Sequence, residues 1–423
     1  MRLSIPGVIP VGRKKSAMYS LRSFKRVYLL LLLPSGVLLR HILSFFPNAV
    51  EQFYSKGMNR LTIRLLSNVT GVFPFSVAEL LLVLLVISLI WHLIWAVIVL
   101  VVMTAHRHNE PENGSGMTHK GLVRTIFILV KKKTINKGII TDLLNVFALI
   151  SILYFGFILL WGLNYYRLPF ADIAHLKVRP ASIEELANVC EIMIARANTL
   201  RKRVDEDKDG VMRISGGKSY IFNCASATVG YQKAAKKYPS LGGMYGKPKR
   251  VFLSNAMSYA GISGVYVPFT GEANINTLIP DAILPCTICH EMAHQRGFAR
   301  EDEAEYIAYV TCNLNSNTDY QYSGTLLALI RSVEMLGVYD IKKYNQLQKR
   351  YNSGVNRDLT NISAFLDKYE GPFNKIASDI NDIYLKSNSQ KEGINSYNRM
   401  VDLLIAEYRA KMLRARSRHS PRS

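Results

Sequence analysis

The chain has 423 residues, 49% of them apolar, and a formal charge of +22. That length allows more than one structural unit, and the apolar content excludes an intrinsically disordered chain. The charge raises nucleic-acid binding as a class, but no nucleic-acid-recognition motif is present and much of the excess flanks apolar segments, so no nucleic acid is expected as a partner.

Residues 1 to 26 form a basic leader carrying Arg2, Arg13, Lys14, Lys15, Arg22, Lys25 and Arg26. A first apolar segment, Val27 to Phe46, follows and is interrupted by Pro34, Arg40 and His41. No small-residue cleavage site follows it, so it reads as a retained span and not a signal peptide. Leu80 to Met103 and Leu143 to Leu163 carry no charged residue. Each is long enough to cross a bilayer as a helix. Lys131 to Lys133, with Arg107, Lys120, Arg124 and Lys137, make the loop 105 to 142 strongly basic. Only Lys56, Arg60 and Arg64 lie between the first two segments. Positive charge marks cytoplasmic flanks, so residues 27 to 164 are expected to form a three-span region with a cytoplasmic N-terminus, leaving 165 to 415 outside the membrane on the opposite face. The final residues, 416 to 423, are a basic tail.

The region from 165 onward reads as mostly α. "SIEELANVCEIMIARANTLRKRV" opens with Ser182 and Glu185 at capping-box spacing and continues with apolar residues at helical period. "SGTLLALIRSVEMLG" and "SYNRMVDLLIAEYRAKMLRARS" extend the pattern. Between them, "KRVFLSNAMSYAGISGVYVPFTGEANINT" alternates apolar residues around glycines and predicts two strands or a hairpin. The five cysteines, Cys190, Cys224, Cys286, Cys289 and Cys312, imply no disulfide framework, and Cys286 and Cys289 read as small core residues of a helix.

The stretch "DAILPCTICHEMAHQRG" carries the chemistry. Pro285 suits a first helical turn and Gly297 a helix end. His290 and His294 then share one face a turn apart, the spacing at which two imidazoles hold one zinc ion, while Glu291 is placed to act as general base on a water the metal activates. A third ligand must follow. Position 300 is Arg300, not the histidine of HExxHxxGxxH, so a metzincin arrangement is disfavoured. Glu301 and Glu305 lie at i and i+4 on one stripe with Ala308 and Cys312, and one acid on that stripe can complete the coordination.

"HEMAHQRGFAREDEAEY" resembles the HExxH followed by ExEAN or ExxAD of gluzincin-type metallopeptidases. Together with the apolar segments and "WGLNYYR", the chain resembles an uncharacterised family of bacterial membrane proteins bearing this motif. The resemblance implies N-terminal transmembrane helices followed by a helical zincin-like α+β domain of peptidase-like fold, with no known substrate; with the zinc-binding spacing, a Zn2+ cofactor and a protein or peptide substrate are expected. By residue matching it points to Glu301 as third ligand, with Glu305 a partner of a ligand histidine or a competing ligand. "GVYVPFTGEANINT" lies where such folds place an edge strand that pairs with extended peptide. Tyr266 and Asn274 are its candidates for substrate binding or transition-state stabilisation, and Glu272 lies beside them. The expectation is a membrane-anchored metallopeptidase. The alternative is a membrane sensor or scaffold with a structural metal site, in which Cys286, four residues before His290, closes the coordination.

Overall fold

A computed structural model describes residues 28–108, 139–217 and 226–419. The basic leader, most of the basic loop, Cys224 and the last four residues lie outside the described residues. The chain divides into two compact units, one comprising residues up to Ile42 and Leu80–Ile158, the other Leu43–Glu79 and Leu159–Ser423.

Among the described residues, the first unit takes in most of the apolar helices α1 (Leu32–Leu43), α3 (Val77–His108) and α4 (Ile139–Leu160), with α2 (Arg60–Gly71) belonging to the second unit. Among the described residues, one helix is long and apolar enough to cross a bilayer, over Val77–Trp95, with none of that stretch buried inside the protein. Leu144–Leu160 is apolar but shorter. The first sequence candidate does not form one straight span. α1 covers 12 residues and ends at Leu43. Pro47 opens a new helix at its N1 position, and the residue before a proline avoids the α conformation, so α1 cannot run on through it. Gly36 of α1 packs closely against the rings of Tyr154 and Phe155 of α4, where an added Cβ would stand 3.1–3.3 Å from ring atoms.

The second unit is a helical core with a small sheet. Its N-terminal part is a π-helix, Val50–Asn59, running into α2. Then come α5 (Ile183–Arg201), α6 (Ser226–Ala235), α7 (Leu284–Gln295), α8 (Glu301–Leu314), α9 (Thr318–Tyr339), α10 (Ile341–Gln348), α11 (Ser353–Tyr369), α12 (Pro372–Ser387) and α13 (Met400–His419). The capping box of α5 forms as its sequence predicts: Ser182 accepts from the Glu185 amide, and Glu185 accepts from the Ser182 amide. Pro285 starts α7, and Gly297, at φ +80°, ends it. Three acids in the first turn of α8 complement the positive end of that helix. Gly230 lets α6 approach the backbone of α8 at Thr311, closer than any side chain permits.

The predicted hairpin is present. β4 (Gly264–Val267) pairs antiparallel with β5 (Glu272–Ile275), Tyr266 opposite Ala273, and β3 (Lys249–Arg250) adds a parallel partner on the other side of β5. The order β3-β5-β4 leaves β4 at the edge. A separate two-stranded pair, β1 (Asp205–Glu206) with β2 (Met212–Arg213), lies between α5 and α6. Cys286, Cys289 and Cys312 are buried and unpaired in the core beside Met292, Ala304 and Ile307, as their apolar helical setting predicts.

Candidate metal centre

The site is built where α7 turns into α8. His290 and His294 project from the same face of α7, their rings nearly perpendicular with centroids 4.6 Å apart. The Nε2 atoms lie 3.0 Å apart, and Glu301 Oε2 lies 3.1 Å from one and 3.4 Å from the other. Three donors bound at about 2.0–2.1 Å in tetrahedral geometry have edges of about 3.3 Å. The triangle therefore has the dimensions of three ligands around one small cation. Glu301 is the first residue of α8, so the short turn from Arg296 to Arg300 sets the triangle.

That turn is heavily braced. The Arg296 side chain donates to the carbonyls of Leu241 and Met292 and lies over the Tyr231 ring. Arg167 donates to the Gly297 carbonyl at 2.8 Å and forms a two-point ion pair with Glu51 at 2.8 and 2.9 Å. The guanidinium also lies 4.0 Å from the Phe298 ring centroid. Phe298 matters directly, because its carbonyl accepts from His294 Nδ1 at 2.7 Å. This bond assigns one proton to Nδ1, so Nε2 is the nitrogen that faces Glu301 and the one free to bind a metal once it gives up its own proton.

The electrostatics favour a cation. Burial opposes a charge on His294, yet Glu301 and then Glu291 raise its pKa to about 9. Burial likewise opposes ionisation of Glu301, but His294 and His290 hold that carboxyl well below the ordinary range. A metal ion bound here would take the place of the proton that these carboxylates favour on His294.

Glu291 is buried, and its Oε2 has no hydrogen-bond partner among the described residues. Burial pushes its carboxyl up, with the two histidines pulling the other way. β4 passes directly over it: a Cβ built on Gly264 would stand 2.7 Å from Glu291 Oε1. Tyr266, two residues along, directs its main-chain N–H toward Glu291, and its own buried hydroxyl has no partner among the described residues.

The two acids on the α8 stripe separate cleanly. Arg331 of α9 takes both carboxylate oxygens of Glu305, at 2.6 and 3.1 Å. Glu305 therefore stands behind the triad as the partner of Arg331, and Glu301 faces the imidazoles. Asn274 is not brought to the triad. Its Oδ1 accepts from Ser76 at 2.6 Å, and Glu272 accepts the amides of Val77 and Ala78. Both residues of β5 thus hold the start of α3. Cys286 turns its Sγ to the Ile283 carbonyl and does not join the cluster.

Several residues at the site lie outside the motif. Trp161 lies against Tyr266 with the rings tilted by 48° and their centroids 4.8 Å apart, and edge-on to His294 at 5.6 Å. Trp161 Nε1 and the Tyr165 hydroxyl both donate to the hydroxyl of Tyr384 on α12. Trp161, Tyr165 and Arg167 lie in "WGLNYYR", a stretch that carries family resemblance and no site motif, and no local pattern marks Tyr384 or Arg331, which reach the site only through tertiary packing.

The profile of DUF3810, described as a protein of unknown function, matches residues 54–405, most of the chain. The chain belongs to the DUF3810 family. The match begins within the π-helix and ends in α13, so it takes in the N-terminal part of the second unit and the metal centre together. No curated protein and no solved structure matches this DUF3810 member.

Proposed function

We propose that the protein is a membrane-anchored zinc metallopeptidase that hydrolyses peptide bonds of a protein or peptide substrate near the outer membrane surface. The observation that carries this is the triangle of His290, His294 and Glu301 with the Glu291 carboxylate beside it, whose Oε2 has no hydrogen-bond partner among the described residues. His290, His294 and Glu301 hold the metal. Bound there, zinc supplies Lewis acidity, polarising a carbonyl and lowering the pKa of a water toward neutrality. Glu291 accepts the proton of the attacking water and delivers it to the leaving amine. The edge strand β4 offers main-chain groups to an extended peptide laid across Glu291, and Gly264 keeps that approach open. Burial around Trp161 and Tyr266 restricts bulk water.

The membrane placement has its own support. Leu43–Glu79 and Leu159–Ser423 form one compact unit, so the chain that leaves at Glu79 returns to the same unit at Leu159. An out-and-back path through α3 and α4 satisfies this, and it agrees with a cytoplasmic basic loop between them and the second unit on the opposite face. A structural zinc site in a sensor or scaffold is the competing function. It requires a fourth protein ligand, and none joins the three among the described residues.

The test is elemental analysis of the full chain, with hydrolysis of a pooled fluorescence-quenched peptide library by the same preparations. One zinc per chain in wild type and Glu291→Gln, much less in Glu301→Ala, and turnover in wild type alone are expected. Metal without turnover under any condition would leave the structural site as the better account, and absence of zinc from wild type would remove both.

A further inference from the structure

α12 is amphipathic in a way the core does not use. Leu385 is fully buried, whereas Phe373, Ile376, Ile380 and Ile383 are 74%, 55%, 62% and 67% exposed. At 100° per residue these four fall within an arc of about 80°. They form one continuous apolar row on a 16-residue helix. Lys375, Asp379, Asp382 and Lys386 give the helix zero net charge, so no electrostatic partner is indicated.

Both ends of α12 are tied to the places where apolar helices enter the second unit. At its C-terminal end, Tyr384 borders the row and accepts from Trp161, the residue that follows α4. At its N-terminal end, Asn374 lies against Gly261, just past the short helix Ser254–Tyr259. The amides leading into that helix, at Phe252 and Leu253, donate to Glu79 in the first turn of α3 at 3.0 and 2.6 Å. Phe252 is itself 85% exposed.

We propose that the Phe373–Ile376–Ile380–Ile383 face of α12 docks on the lipid bilayer that α3 crosses, lying in the plane of the interface with its apolar row below the headgroups. This rests on the membrane part of the function proposed above and extends it to a specific surface. A helix fixed at both ends to residues adjoining membrane-entering helices is held along the surface those helices enter. A neutral helix with a wide apolar face then binds by burying that face, whatever the headgroup charge. Trp161 touches both α12 and the metal ligand His294, so docking holds the metal centre at headgroup level. The peptides within its reach are those that lie on the membrane or emerge from it.

The experiment uses the full chain in a Cys224→Ser background, where the four remaining cysteines are buried. Ile380→Cys, Leu89→Cys and Val338→Cys are each labelled with an environment-sensitive nitrobenzoxadiazole and reconstituted into vesicles of neutral lipid. Leu89 lies within α3, and Val338 is exposed at the end of α9. A nitroxide placed near the headgroup should quench the label at 380 roughly threefold more than that at 338, unchanged by high salt. A nitroxide near the chain end should quench the label at 89. Quenching at 89 with a water-like, iodide-accessible label at 380 overturns the docking face and leaves the membrane anchor standing. Blue-shifted emission at 380 that depends on protein density and ignores lipid nitroxides overturns it in favour of a second copy of the chain. Absence of quenching at 89 removes the anchor and this inference with it.

Discussion

Gly264→Ala isolates the contribution of the edge strand to catalysis. The added Cβ would stand 2.7 Å from both Cγ and Oε1 of Glu291 and 2.9 Å from its Cδ. That is about 0.8 Å inside the shortest comfortable carbon–carbon separation. α7 is buried along almost its whole length, so its backbone cannot retreat, and the carboxylate must swing off its rotamer at about 0.5–1.5 kcal/mol. Gly264 lacks a positive φ, so alanine suits the strand backbone and the domain should keep its fold. Misplacement of a catalytic group by about 1 Å costs on the order of 100-fold in rate. Turnover on a fluorescence-quenched peptide should therefore fall roughly 10- to 100-fold, with one zinc per chain retained and the thermal midpoint within about 3 °C of wild type. Undiminished turnover refutes the close approach of β4 to Glu291. Parallel loss of zinc and turnover also refutes it, because the strand would then be supporting a ligand and not the base.

Other expectations follow from the surroundings of the site. Arg167→Met leaves Glu51 buried without its guanidinium and releases the Gly297 carbonyl. A loss of about 3–5 kcal/mol in thermal unfolding is expected, largely recovered when Glu51→Leu is added. Glu305→Gln should keep stoichiometric metal in elemental analysis, since Arg331 and not the metal holds that side chain; loss of metal would reverse the assignment between the two acids. Ser182→Ala removes the capping box of α5 and should cost about 1 kcal/mol by denaturant titration. Arg409 and the Ser182 amide hold the Glu185 carboxyl down from 4.5 to about 2. A depressed carboxyl contributes stability that is complete above its unfolded value and is lost as pH falls toward its folded one. Arg409→Gln should therefore lower stability above about pH 4.5 and flatten the decline between there and about 2, measured by the thermal midpoint against pH.

Local chemistry settles what short stretches of sequence can settle. The helix that places His290 and His294 on one face follows from 3.6 residues per turn, with Pro285 and Gly297 as its limits. The α5 capping box needs only residues three apart. The β4–β5 hairpin follows from alternation around glycines, and the helical stretch of α3 from Leu80 to Met103 follows from its charge-free apolar composition. Each of these depends on neighbours in sequence, so each was legible there. The choice between Glu301 and Glu305 was not, because both lie on one stripe of α8 and only Arg331, 26 residues away, separates them. Asn274 and Glu272 look like binding residues beside a catalytic helix until Ser76, Val77 and Ala78, almost 200 residues earlier, claim their polar atoms. The stretch between Phe46 and Leu80 reads as a loop between spans, yet its buried Glu51 pairs with Arg167 and joins it to the metal-bearing unit. Tyr384 reaches Trp161 across 223 positions. The sequence by itself determined which residues are able to bind a cation. Tertiary structure decided which of them face it, because a buried polar atom goes to whichever partner the fold brings within hydrogen-bond reach, and that partner is set by packing and not by spacing.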